Sequence, residues 1–135
     1  MSSIEAMLES HPEQSQHADA AKLAACIRAC SDCVTVCTSC ADACLSEETV
    51  SELTRCIRTD LSCADVCQAT AAVLSRSPEG DARTVTALLE ACATACGACA
   101  EECERHAEVH EHCRLCAHAC RRCEEACRDL LGTPS

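Results

Sequence analysis

A chain of 135 residues has room for one domain built on one core. Its net charge of −11, with Lys22 the single lysine, argues against nucleic acid or an anionic membrane surface as partner. There is no Phe, Tyr or Trp and there are only three Gly and three Pro, so the core lacks aromatic burial and the composition reads as nearly all helix.

In chain order, MSSIEAMLESHPEQ has no basic region followed by an apolar stretch, so no secretory signal is visible. No apolar run approaches the roughly 20 residues needed to span a bilayer. A reducing cytoplasmic setting is therefore expected, where structural disulfides are rare. Ile4, Met7 and Leu8 fall at i, i+3 and i+4, which predicts a short amphipathic segment over residues 1–11, packed outside the rest. Pro12 reads as a first-turn residue of a long helix reaching about Leu45. Ser46-Glu47-Glu48 supplies a cap and two first-turn acids for a second helix ending near Ser75 or Arg76. Ser77-Pro78-Glu79 repeats that start signal for a third. A break in the cysteine spacing places the last turn at 107–111, and the fourth helix ends near Leu131, before Gly132 and Pro134. Residues 12–131 are thus expected to form an all-α, antiparallel up-down-up-down four-helix bundle, with 132–135 as a tail.

Eighteen of the residues are cysteine, and their gaps alternate between four and three. The first helix carries Cys26, Cys30, Cys33, Cys37, Cys40 and Cys44; the last carries Cys113, Cys116, Cys120, Cys123 and Cys127. The third carries Cys92, Cys96, Cys99 and Cys103, continued at the same spacing by His106 and His110. The second is sparser, with Cys56, Cys63 and Cys67, and Asp60 stands where a cysteine would otherwise fall. A repeat averaging about 3.5 residues keeps one stripe of a helix facing its partners. The stripe that ordinarily holds leucine here holds thiols. Leu23, Val73, Leu74, Val85, Leu88, Leu89, Leu130 and Leu131 fall at one pole of such a bundle and the two histidines at the other.

A buried cysteine can be mere apolar filler. Filler would mix Ala, Val and Leu with Cys, whereas the first helix uses cysteine at six successive seam positions. Disulfides between i and i+4 have poorly disposed Cβ vectors. Structural zinc favours isolated quartets, and an unbroken stripe does not divide into them. Iron–sulfur clusters favour loop-borne runs with a cysteine before proline, and no cysteine precedes proline here. Cu(I) prefers thiolate and is satisfied by few ligands, so it can be bridged along a continuous row and fits best. With each thiolate bridging two ions, capacity approaches roughly one ion per cysteine. An iron–sulfur electron-transfer protein and a general zinc or thiolate buffer remain the alternatives.

Asp60 in the seam needs a partner, either an arginine or a bound metal. His106 and His110 read as ligands or as a gate, while His112 and His118 read as solvated helix ends. No enzyme arrangement is visible: there is no partnered nucleophile and no phosphate loop.

The segments CIRACSDCVTVCTSCADAC, CATACGACAEECERH and HCRLCAHACRRCEEAC, within residues 12–131, resemble the cytosolic copper storage proteins. The resemblance implies many Cu(I) ions held inside the bundle, protection against copper toxicity, and a homotetramer formed through outer helix faces. It also implies that His106 and His110 match mouth histidines and that Asp60 matches a core acid able to join the coordination. A copper chaperone is then a candidate delivery partner.

Overall fold

The structure, a computed structural model, describes residues 2–12, 20–76 and 81–132. Its helices are α1 (Ser3–Ser10), α2 (Ala20–Leu45), α3 (Thr54–Ser75), α4 (Ala82–Glu104) and α5 (Glu111–Leu131), and no strand occurs among the described residues.

Ser2 caps the start of α1. The Ser2 hydroxyl accepts from Glu5 N–H at 3.2 Å and donates to the Glu5 carboxylate at 3.0 Å. Arg28 of α2 donates to that carboxylate at 2.6 Å, and Ile4 and Leu8 lie half-buried against the bundle, so α1 is strapped to the outside of α2. Pro12 sits in a bend rather than in a helical turn; the described part of α2 begins at Ala20, and residues 13–19 lie outside the described set.

The second helix starts later than Ser46-Glu47-Glu48 suggests. The Ser46 hydroxyl donates back to the Asp42 carbonyl at 3.3 Å and so finishes α2. A turn and a single 3₁₀ turn (Val50–Glu52) follow, and α3 begins at Thr54 after the buried Leu53. Neighbouring helix axes stand about 8–10 Å apart, and the chain must cross that gap before it can wind again. The start expected at Ser77-Pro78-Glu79 lies among residues outside the described set. The observed cap of α4 is Asp81, extended, whose carboxylate accepts from Arg83 N–H at 2.9 Å. The last turn also shifts: α4 closes at Glu104 through i→i+3 bonds from Arg105 and His106, so His106 lies in the turn and not on the helix.

Sulfur pairings show the antiparallel ring. Along α2 and α5, Cys26 meets Cys127 while Cys37 meets Cys116; along α3 and α4, Cys67 meets Cys92 while Cys56 meets Cys103. Early residues of one helix pair with late residues of the next. Leu23, Leu74, Leu89 and Leu130 are buried at the pole shared by the α2 start and the α5 end. Thr70 continues the α3 seam beyond Cys67; it is fully buried with its hydroxyl donating to the Val66 carbonyl at 2.8 Å. Helix α2 is, by length and average apolarity, able to cross a bilayer, but much of that apolarity is cysteine turned into the core.

On the outside of the α4–α5 seam, the Glu124 side chain lies over Gly97, where a Cβ would stand 2.9 Å from its carboxylate oxygen. Arg121 of α5 reaches across that seam to Glu104 of α4 at 2.8 Å and is braced by Glu124 of its own helix at 2.9 Å.

Cysteine is small, so the leucine pole carries much of the aliphatic burial. Leu74→Ala is expected to lower stability by about 2–5 kcal/mol. Denaturant unfolding of the metal-free protein under reducing conditions measures this; a loss under about 1 kcal/mol would contradict it.

Candidate metal centre

All eighteen cysteines are buried, none more than 2% exposed, and all are free thiols. The 4-3 spacing on four helices stacks them in a column, with neighbouring sulfurs 3.5 Å apart at Cys67 and Cys96, 3.6 Å at Cys37 and Cys120, and 3.8 Å at Cys33 and Cys63. Several sets of four sulfurs lie mutually within 4.8 Å: Cys30, Cys92, Cys123 and Cys127 at the leucine end, Cys33, Cys37, Cys63 and Cys120 in the middle, and Cys40, Cys44, Cys56 and Cys113 at the other end. The middle sets share members. Cys37 and Cys120 also belong with Cys99 and Cys116, and Cys33 and Cys63 with Cys67 and Cys96. Overlap of this kind describes a row of bridging ligands rather than separate tetrahedral sites.

Such a row cannot ionise freely. At the open end, burial and then the charge of Cys56 push the Cys44 thiol up to about 12. At the leucine end, hydrogen bonds from Cys127 and Cys30 draw Cys26 down to about 5, while Cys30 is pushed up, chiefly by its bond to Cys123. One thiolate in a row is supported by its protonated neighbours, and a second beside it is opposed. Thiolate-binding cations relieve that opposition.

Asp60 is fully buried, and no arginine reaches it among the described contacts. Its Oδ1 accepts from Cys99 at 3.1 Å, Cys116 at 3.2 Å and Cys103 at 3.5 Å, with Oδ2 4.0 Å from Cys56. Burial first, then the neighbouring Cys116 and Cys99, push its carboxyl up to about 11. The acid is therefore carried protonated in the metal-free core. It crosses the column just inside the outermost quartet.

The histidine pole differs from expectation. His106 bonds Glu102 at 3.1 Å, and that nearly buried carboxylate also meets Arg55 at 3.4 Å. His110 caps α5 without a side-chain bond to its helix and lies 3.1 Å from Glu47. His112, read from spacing as a solvated helix end, is the ring that reaches the thiols. Its Nδ1 lies 3.5 Å from Cys40 Sγ and 3.6 Å from Cys113 Sγ, and its Nε2 2.8 Å from Glu47. Side chains in a first helical turn lean back over the helix start, which carries this ring across the open pole. The available sequence signal is three histidines within seven residues of a turn; the seam pattern alone discards His112 because it stands one place before Cys113. His118 is exposed, as spacing suggests. Glu47 and Glu102 are likewise invisible to a pattern that follows one stripe.

A profile of the copper storage protein family matches residues 19–132. The chain is 55% identical to the copper storage protein Ccsp of Streptomyces lividans in a structure loaded with 10 copper equivalents, covering 97% of this chain and 99% of that one, with a TM-score of 0.94. A second structure, of a cytosolic copper storage protein from Streptomyces lividans with five coppers, is 60% identical over 84% of this chain and 95% of that one, at a TM-score of 0.82. Metal-free copper storage protein 3 of Bacillus subtilis is 37% identical over 80% of this chain and 97% of that one, at 0.68. No curated protein matches.

A buried carboxyl raised well above its unfolded range of about 4 opposes folding increasingly as pH climbs from there toward about 11, and below about 4 it does not. Asp60→Asn removes the ionisable proton and keeps an acceptor oxygen. It is expected to stabilise the metal-free protein at neutral pH by about 1–3 kcal/mol, the gain shrinking as pH falls toward 4. Thermal melts across pH in reductant measure this; a gain independent of pH would contradict it.

Proposed function

Because the chain belongs to the copper storage protein family, we propose that it sequesters and stores multiple Cu(I) ions on the thiolates of its core, protecting the cell from copper toxicity. The observation that carries this reading is the run of sulfur quartets: those in the middle share members, Cys67 reaches Cys92 and Cys123 of the leucine-end set, and Cys56 of the outer set meets Cys103. Each entering ion displaces about one thiol proton, so a loaded column is close to neutral and avoids unpaired buried charge. The proposed ligands are the eighteen cysteines. Asp60 is proposed to join the coordination as its neighbours load, and His106, His110 and His112 to serve entry and exit. The leucines at the opposite pole favour entry at the histidine end.

A cytosolic location is in keeping with the description of the Streptomyces protein. We further propose a homotetramer; Leu61 and Leu115, 47% and 50% exposed on outward faces, support association. A copper chaperone would deliver the ion to the histidine end.

Anaerobic Cu(I) titration of the reduced protein, with metal and protein quantified, is expected to saturate near one ion per cysteine. Thiolate-to-copper absorption should rise in the ultraviolet from a colourless start. Saturation at fewer than about four ions, or a brown iron-bearing protein as isolated, would remove the storage reading. Mass measurement of the same samples tests the tetramer, which a monomer at working concentration would exclude. His106→Ala with His110→Ala is expected to change the rate of uptake or release and leave capacity nearly unchanged; a large loss of capacity would make these residues major ligands instead.

A further inference from the structure

The α2–α3 and α4–α5 connections meet over the open pole, and one carboxylate joins them. Glu47 Oε2 lies 2.8 Å from His112 Nε2 and 3.1 Å from His110 Nδ1. Its backbone is held by a bond from Glu47 N–H to the Cys44 carbonyl at 3.2 Å. The two rings are stacked, with centroids 5.3 Å apart and planes inclined by 20°.

A carboxylate only accepts hydrogen bonds, so each ring nitrogen facing it carries a hydrogen. A neutral imidazole has one N–H, and the donor nitrogen decides where the lone pair lies. In His112 the bond to Glu47 uses Nε2 and leaves the lone pair on Nδ1, the atom beside the Cys40 and Cys113 sulfurs. In His110 it is Nδ1 that faces the same oxygen, at 3.1 Å, which places the hydrogen on Nδ1 and leaves the lone pair on Nε2. A single oxygen thus imposes opposite tautomers on stacked rings. The His112 bond is also the first cause holding the Glu47 carboxyl below its ordinary range, as expected of an acceptor kept ionised.

We infer that Glu47 is a positioning residue for copper entry: by fixing opposite tautomers in His110 and His112 it presents one imidazole lone pair from each ring, the second of them next to Cys40 and Cys113. An incoming Cu(I) ion can then exchange from ring to ring and onto the outermost thiols without waiting for a ring to flip or a proton to move. This rests on the storage reading. The plainer alternative is a carboxylate that merely ties two turns together, which would require neither ring to hold one tautomer.

The test uses full-length, metal-free, reduced protein labelled with ¹⁵N-histidine. Two-bond ¹H–¹⁵N spectra, taken at a pH where those spectra show both rings neutral, are expected to place the hydrogen on Nε2 of His112 and on Nδ1 of His110. In Glu47→Ala both rings should show mixed tautomers. Uptake of Cu(I) from a chelated donor should then slow by about 10–100-fold, the usual cost of losing a ligand's orienting partner, with final capacity unchanged. Glu47→Gln retains an uncharged acceptor oxygen at the same reach; it is expected to hold the His112 tautomer and recover most of the rate. Hydrogen on Nδ1 of His112 in the parent protein, Glu47→Ala loading at the parent rate, or Glu47→Gln as slow as Glu47→Ala would each overturn the inference. Failure of the storage reading looks different: the parent protein itself would then saturate at few ions, whatever its tautomers.

Discussion

Eighteen buried thiols cannot ionise side by side without a partner, and the rest of the molecule follows from that constraint. Protonated, they pack as small apolar groups and fold with the bundle. Ionised without a partner, they would cost more than the fold can bear. A soft monovalent cation resolves the conflict, since it replaces the proton and leaves the local charge nearly unchanged. The protonated Asp60 obeys the same rule: it enters the core as a neutral acid and spends its acceptor capacity on three neighbouring thiols.

The two ends of the column have different chemistry because neutrality is enforced differently at each. At the leucine end, Leu23, Leu74, Leu89 and Leu130 are packed shut, and the first buried thiols met among the described residues are Cys26 and Cys127. At the other end the thiols give way to imidazoles held by carboxylates. His112 touches both worlds, with one nitrogen facing sulfur and the other facing Glu47. Glu102, nearly buried between His106 and Arg55, supports the rim in a similar way. Ligand density therefore falls off toward solvent in steps: bridging thiols, the outer quartet of Cys40, Cys44, Cys56 and Cys113, then histidine.

The outer surfaces serve this interior. On the outside, Arg121 of α5 clamps Glu104 of α4 and is steadied by Glu124 of its own helix, which helps to hold the sulfur-bearing faces in register. Such half-exposed ion pairs add little individually, about 0.2–1 kcal/mol each, and their use is to fix rotation of the helices about their own axes. Rotation matters here because it would turn the thiol stripe out of the column.

Helix identity, the all-α class and the thiol seam were legible in the residues because they follow from local periodicity, which any isolated helix would express. The cysteine spacing alone pointed Cys26 through Cys127 toward one column, and the missing cysteine at Asp60 marked a position that is indeed fully buried. What periodicity could not convey is anything set by residues distant in the chain. Ser46 looked like a helix start, yet the distance between helix axes requires a longer crossing, and α3 waits until Thr54. His106 looked like one more step of the α4 stripe, yet the helix closes before it. His112 looked solvated because it sits beside the seam, and its contact with Cys40 exists only because α2 and α5 run in opposite directions with their ends at the same pole. Glu47 carries no motif at all. Its meeting with two histidines more than sixty positions away, at 2.8 and 3.1 Å, arises from the antiparallel packing of four helices, which brings two unrelated turns together.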